Sequence, residues 1–184
     1  PDYISLAGSG EPTLNSAIGD VIRSIKQQTD IPVAILTNGS LLWMEEVQDA
    51  LLAADLVLPS LDAGDDGLFQ KINRPHPSLS FEQMVDGLAA FTRRFTGKVW
   101  LEVLLLAGMT GTAREVEKIA AHVNRIRPER VQLNTVCRPP AETFATSLSA
   151  DQLHALADLF AVPVDIIHYD ETENTTSSAE NIQV

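Results

Sequence analysis

A glycine-rich loop with a single carboxylate, Gly8-Ser9-Gly10-Glu11-Pro12, is the segment best suited to ligand chemistry. Glycine leaves backbone carbonyl groups accessible, and Glu11 adds a carboxylate, so the loop offers a set of acceptors for an ammonium group. A dinucleotide phosphate fits poorly, because Thr13 replaces the third glycine of G-x-G-x-x-G and the loop contains no Lys or Arg. The alternative is that Glu11 only caps the helix that follows Pro12.

Polar residues also follow or interrupt the later apolar runs of the chain. In parallel α/β folds, ligands bind beyond the carboxyl ends of the strands. Asn38 and Asp62 are also common turn residues, and Glu102 could pair with an arginine instead of facing a ligand. We predict that one cavity at this edge contains Glu11, Thr37, Asn38, Ser60, Asp62, Glu102 and Asn134.

Six apolar, β-rich runs alternate with amphipathic helical segments. The runs are continuous rather than alternating, which is typical of strands that are buried on both faces. Three helices are expected to start with a capping box, at Ser80 with Gln83, Thr112 with Glu115, and Ser149 with Gln152. The predicted strands are residues 3–7, 33–37, 56–61, 99–106, 131–135 and 164–168.

This βα alternation predicts an α/β fold with parallel strands and right-handed crossovers. The pattern alone leaves two architectures open, a barrel and a doubly wound sheet. We expect residues 1–169 to form this domain, and the polar, aperiodic residues 170–184 to form a tail or linker.

Composition excludes several other classes of protein. A net charge of −12 without a basic stripe disfavours direct nucleic-acid binding. No apolar run approaches the ~20 residues of a membrane-spanning helix. The single cysteine, Cys137, excludes an internal disulfide and is expected to be a small filler at a strand end. The lack of a disulfide framework is typical of a reducing cytoplasm.

The motifs taken together resemble the radical S-adenosylmethionine (SAM) superfamily. GSGEPTL resembles its "GGE" motif, with Ser9 in place of the second glycine, and TNG resembles the end of the next family strand. SLDA resembles the strand end near the ribose and methionine carboxylate of SAM, and VQLNT the sixth family strand. The resemblance implies that Gly8, Ser9, Gly10 and Glu11 bind the SAM amino group, and that Thr37, Asn38, Ser60, Asp62 and Asn134 complete the cofactor site.

Two further segments, KINRPHP and LNTVCRPPAE, look like the Fe–S oxidoreductases similar to wybutosine-synthesising tRNA enzymes. The resemblance implies a partial (β/α) barrel that binds SAM for reductive cleavage to a 5′-deoxyadenosyl radical. It also implies a [4Fe–4S] cluster, an electron donor and a substrate whose identity cannot be read from the sequence.

The sequence departs from the family at the cluster loop, because the CxxxCxxC motif is absent and Cys137 is alone. We therefore expect the cluster and the first strand to come from a segment upstream of Pro1, and the 184-residue chain by itself to be inactive. Without that strand, the edge at residues 3–7 should fray or pair with a second copy. The alternatives are a cluster-less barrel that binds a small amine or amino acid, and a non-radical barrel enzyme with Glu102 as general base.

Overall fold

A single parallel sheet of six strands forms the centre of the protein in the computed structural model, which describes residues 1–8, 10–137 and 142–167. Each strand pairs with the next one along the chain, in the order β1 to β6. A doubly wound sheet would reverse its order at a switch point, so this uniform order corresponds to an open, partial barrel. The strands are β1 Ile4–Leu6, β2 Val33–Thr37, β3 Leu56–Pro59, β4 Lys98–Leu105, β5 Arg130–Thr135 and β6 Val164–Ile166.

Helices connect successive strands. The helix Asp66–Ile72 was not predicted, because its seven residues are too few to show a helical stripe. No helix in the described part of the chain is long and apolar enough to cross a membrane. The helices are α1 Ile18–Gln28, α2 Glu45–Leu51, α3 Asp66–Ile72, α4 Phe81–Arg94, α5 Ala113–Ile126 and α6 Ala150–Ala157, with a 3₁₀ helix at Pro12–Leu14.

The helix starts agree with the predicted caps in part. Ser80, Thr112 and Ser149 each accept a hydrogen bond from the backbone three residues later. The reciprocal bond of a full capping box forms only at α6, where Ser149 N–H donates to Gln152 at 2.9 Å. At α5 the Glu115 carboxylate binds Lys118 instead, so that prediction of a full box was wrong.

The expectation that the strands are buried on both faces holds for β2 and β3 but is wrong for β4 and β5. In β4 and β5, buried residues alternate with half-buried ones. The helices cover only the outer face, and the inner face of the open barrel carries Trp100, Glu102, Gln132 and Asn134. Cys137 is exposed, so it is not the buried filler that we expected.

The edge strands of the sheet are β1 and β6, and each pairs with one neighbouring strand. β1 pairs with β2 on one side, and no strand among the described residues covers its other side. Self-association through this edge stays a prediction. Ser9, residues 138–141 and the whole predicted tail at 170–184 lie outside the described residues.

Candidate functional site

Glu11 lies where β1 ends and uses both carboxylate oxygens. Oε1 accepts hydrogen bonds from Thr13 N at 3.0 Å, Thr13 Oγ1 at 2.7 Å and Thr37 Oγ1 at 2.6 Å. Oε2 accepts one from Asn38 N at 2.7 Å. Glu11 therefore caps the 3₁₀ helix, as the alternative interpretation predicted, and also joins the exits of β1 and β2.

The charge on Glu11 has no counterion in the described part of the chain. All four of its hydrogen-bond donors are neutral groups. Oε2 accepts only one hydrogen bond and so keeps capacity for a second, since each carboxylate oxygen has two lone pairs. A cationic ligand group at this oxygen would satisfy both the charge and the free lone pair.

The turn after β2 is tightly organised around Thr37 and Asn38. Gly39 adopts φ 74°, a left-handed conformation that glycine tolerates best, and its N–H donates to Thr37 Oγ1 at 3.1 Å. Asn38 Oδ1 accepts from Ser40 N at 2.9 Å. This Asx-type turn agrees with the alternative prediction for Asn38, and it leaves the Asn38 amide Nδ2 without a hydrogen-bond acceptor in the described structure.

Asp62 follows β3 and ties it to the neighbouring strand. Its Oδ1 accepts from Leu104 N at 3.0 Å, and its Oδ2 accepts from Asn73 Nδ2 at 2.8 Å. Burial raises the pKa of the Asp62 carboxyl, and the nearby negative charge of Glu102 acts in the same direction, against the lowering effect of the two hydrogen bonds.

Glu102 and Asn134 form a second polar contact on the inner face. Asn134 Nδ2 donates to Glu102 Oε1 at 2.6 Å, whereas no arginine of the described chain pairs with Glu102. Asn134 Oδ1 is buried and has no hydrogen-bond partner there. Ser60 is aligned with Glu102 in the parallel ladder. An unsatisfied buried acceptor is costly, so this oxygen is suited to a ligand donor.

The predicted residues therefore lie at or near the carboxyl edge in two groups. Hydrogen bonds join Glu11, Thr37 and Asn38 in the first group. In the second group Asn134 is hydrogen-bonded to Glu102, and Asp62 lies near enough to be affected by the Glu102 charge but is hydrogen-bonded to neither. Asn73 connects them, because it binds Asp62 and lines a cavity that Glu11 and Asn38 also line. Whether these residues bind a ligand stays a prediction.

That cavity has a volume of about 560 Å³ and lies between the turn after β2 and the loop after α3. Sequence reasoning missed Asn73 and Trp43 as lining residues. Asn73 lies in the KINRPHP segment, which indicates a family resemblance but no role for this residue. Trp43 belongs to no recognisable motif. The cavity is lined by Glu11, Leu14, Asn38, Ser40, Leu41, Trp43, Phe69, Asn73, Arg74, Pro75, His76, Ser78, Leu79 and Met84.

A metal cluster does not fit the residues of this chain. Among the described residues, no group of three or more His, Cys, Asp or Glu side chains could hold a metal ion. The whole sequence contains one cysteine, whereas a [4Fe–4S] cluster is held by several thiolates.

Known sequences similar to this chain include one protein family and several individual relatives. A family model described as the Radical SAM superfamily matches residues 4–123. A Brachyspira hyodysenteriae protein named GTPase Obg is 46% identical over 159 residues, which cover 86% of this chain but 23% of that protein. A UPF0026 protein of Methanocaldococcus jannaschii is 31% identical over 166 residues, covering 90% of this chain and 50% of its own length. The chain thus spans half or less of these relatives.

Solved structures share the fold at low sequence identity. A domain of pyruvate-formate lyase-activating enzyme from Bacteroides vulgatus has a TM-score of 0.72 at 16% identity, covering 90% of this chain and 98% of that one. A radical SAM methyltransferase from Sphaerobacter thermophilus has a TM-score of 0.70 at 17% identity, covering 90% and 50%. Streptococcus suis SuiB bound to S-adenosylmethionine has a TM-score of 0.69 at 13% identity, covering 90% and 39%.

Proposed function

Because the chain belongs to the radical SAM superfamily, we propose that it binds SAM at the carboxyl ends of its strands and forms most of the SAM domain of a larger enzyme. The observation that carries this proposal is the uncompensated carboxylate of Glu11, held by four neutral donors at the exit of β1. A solved neighbour of the same fold is described as bound to SAM.

Glu11 is the acceptor for the SAM ammonium in this proposal, because Oε2 has a free lone pair and no counterion among the described residues. Thr37 and the Asn38 backbone position the carboxylate. Asn134 Oδ1 accepts a hydrogen bond from the cofactor, which satisfies an acceptor that is otherwise buried without a partner. Ser60 and Asp62 face the ribose and methionine end, as the family resemblance implies.

The glycines of the first loop support the same assignment. A methyl group added at Gly10 would meet nothing within 4 Å, and one added at Gly8 would meet only ordinary contacts at 3.9 Å. The fold itself therefore does not require glycine at either position. A ligand that approaches the backbone closely would explain why glycine occupies both positions.

The cluster and its electron must come from outside this chain, since one cysteine cannot provide the thiolates. Beside a reduced cluster, bound SAM would accept one electron, its C–S bond would break with methionine as the leaving group, and the remaining 5′-deoxyadenosyl group would supply hydrogen abstraction. The residues of this chain hold the cofactor and exclude water around it. An oxidoreductase reaction, and a relationship to the wybutosine-type subgroup, belong to this proposal and rest on the KINRPHP and LNTVCRPPAE segments.

The test uses the 184-residue chain and a version extended upstream in its own gene, both purified without oxygen and supplied with iron, sulfide, dithionite and SAM. We expect 5′-deoxyadenosine only from the extended protein. Sustained formation by the 184-residue chain alone would contradict the fragment interpretation. An extended protein that takes up no iron but binds small amines would favour the cluster-less alternative.

Within the extended protein, Glu11→Ala should weaken SAM binding about tenfold to a hundredfold, the usual effect of losing a hydrogen bond to a charged group. Asp20→Ala is the matched control, because it removes an exposed carboxylate of α1 that lies outside the proposed site. Equal affinities of the two variants in calorimetric titration would reject Glu11 as the ammonium acceptor.

A further inference from the structure

The cavity beside Glu11 has an apolar floor. Phe69, Leu79 and Met84 line it, and each is less than one-tenth exposed. Phe69 is held against Phe81 with ring centroids 5.6 Å apart, so this floor belongs to the packed core. A rigid apolar floor favours a ligand with a flat, apolar body.

The rim of the cavity is also apolar, although it is open to solvent. Leu14 is 73% exposed and Trp43 is 44% exposed. An exposed large apolar side chain does not contribute the stability that its burial would provide. An indole next to a cavity also offers a stacking surface for another ring. Floor and rim together favour an aromatic group over a purely polar one.

The positive charge at this cavity belongs to Arg74. Its side chain pairs with Glu142 at 2.8 Å, and the two side chains are 59% and 43% exposed. A pair this exposed is weak and exchanges readily with other partners. Arg74 also has φ 47°, a left-handed conformation that glycine would adopt at lower cost. Arginine at this strained backbone position supports a binding role for the guanidinium group.

His76 adds a second polar group to the lining of the cavity. It lies between Pro75 and Pro77, and its Nδ1 is 2.7 Å from Ser78 Oγ. If Ser78 donates this bond, the opposite nitrogen Nε2 carries the ring proton and is a donor. Arg74 and His76 thus offer donors to the cavity, whereas Glu11 offers acceptors.

We propose that this cavity is a binding subsite for an aromatic group that carries one anionic substituent, with the ring on the Phe69–Leu79–Met84 floor and the anion at Arg74 in place of Glu142. The assignment of this ligand as the substrate rests on the proposed function, because the cavity also borders Glu11 and so adjoins the proposed SAM site. Binding itself does not depend on SAM or on the cluster.

The test titrates the 184-residue chain with phenyl phosphate by calorimetry and by tryptophan fluorescence, without SAM or iron. Phenol, inorganic phosphate and benzylamine are the comparison probes. The protein has two tryptophans, so a Trp100→Phe background leaves Trp43 as the only reporter. We expect saturable binding of phenyl phosphate at millimolar concentration, tighter than any of the other three, with a change in Trp43 emission.

Three variants separate this proposal from non-specific binding. Arg74→Gln should weaken phenyl phosphate binding about tenfold or more. Glu142→Gln should strengthen it, because the competing carboxylate is gone. Arg114→Gln, on an exposed side chain of α5 outside the cavity, should leave it unchanged.

Several results would overturn the inference. These are an absence of saturable phenyl phosphate binding, tighter binding of benzylamine, and equal effects of Arg74→Gln and Arg114→Gln. The outcome is independent of 5′-deoxyadenosine formation by the extended protein. If that activity is present and phenyl phosphate does not bind, this inference fails and the proposed function stands.

Discussion

Thr37 Oγ1 donates a 2.6 Å hydrogen bond to Glu11 Oε1 and so connects the ends of two neighbouring strands. The contact spans 26 residues of sequence and is continued by the Asn38 N–H bond to the second carboxylate oxygen. A residue proposed to bind a cofactor therefore also holds the loops that form the site. Experiments on Glu11 must measure stability and ligand binding separately.

The first prediction concerns the structural part of this role. Glu11→Gln should lower the free energy of unfolding by about 1–3 kcal/mol, because an amide NH₂ would face a backbone or hydroxyl donor at one of the two oxygens. Thr13→Val should cost less, about 1 kcal/mol, since it removes only the hydrogen bond from Thr13 Oγ1 to Glu11 and leaves the others. Urea unfolding of both variants checks this order, and a larger loss for Thr13→Val would contradict it.

The second prediction compares two glycines with opposite surroundings. A methyl group at Gly87 would lie 2.5 Å from Trp43 N and 2.7 Å from Trp43 Cα, so Gly87→Ala should destabilise the fold by about 1–3 kcal/mol despite the better helix propensity of alanine. Gly10→Ala meets nothing within 4 Å. It should leave stability nearly unchanged and weaken SAM binding in the extended protein.

Thermal and urea unfolding test the stability half of this comparison, and titration with SAM tests the binding half. If Gly87→Ala is as stable as the parent, the close approach of α4 to the Trp43 backbone is not present. Unchanged SAM affinity in Gly10→Ala would argue against a ligand close to that backbone.

The third prediction is a pH dependence at Asp62. Burial raises its folded pKa above the usual 3.8, so the folded state binds the proton more tightly than the unfolded state does. The contribution of the protonated form to stability is therefore fully present below pH 3.8 and is lost as the pH rises through the folded pKa. Asp62→Asn cannot ionise, so its stability relative to the parent should increase with pH over this window.

The measurement is urea unfolding of parent and variant at several pH values from below 3.8 to neutrality. The new amide oxygen can still accept from Leu104 N, and the exposed Asn73 amide can turn its oxygen towards the new NH₂ group. Asp65→Asn is the control of opposite sign: its hydrogen bond with Lys118 lowers the pKa of Asp65, so the stability of this variant relative to the parent should fall as the pH rises. A stability difference that is flat, or that falls with pH, would show that folding does not raise the pKa of Asp62.

The fourth prediction concerns the contact between Glu102 and Asn134. A double-mutant cycle with Glu102→Ala and Asn134→Ala should give a coupling energy of about 0.5–3 kcal/mol, because each substitution removes the partner of the other. The control cycle pairs Glu102→Ala with Gln132→Ala. Gln132 is the register neighbour of Glu102 on β5 and has no side-chain hydrogen bond to it among the described residues. Equal coupling in the two cycles would mean that the 2.6 Å contact carries no energy of its own.

The order and direction of the strands could be predicted from the sequence. Each apolar run is followed by a helical stripe, and only parallel strands with crossovers satisfy that alternation. All six strands occur where expected to within a few residues. The short helix α3 was missed, because seven residues carry too little periodicity.

The choice between a barrel and a doubly wound sheet required the pairing of the strands. Both architectures contain the same local elements, and they differ only in which strand lies beside which. The half-buried inner faces of β4 and β5 follow from the same pairing, because an open barrel leaves that side of the sheet without covering helices. No local pattern of residues contains this information.

The candidate site shows the same division between local and long-range information. Polar residues after apolar runs identified Glu11, Thr37, Asp62 and Asn134, since the carboxyl ends of parallel strands share one edge. Their partners could not be predicted. Asp62 binds Leu104 across 42 residues and Asn134 binds Glu102 across 32, and such contacts depend on strand register and on how neighbouring loops pack. The cavity beside Glu11 likewise exists only because α3, α4 and the turn after β2 meet in space.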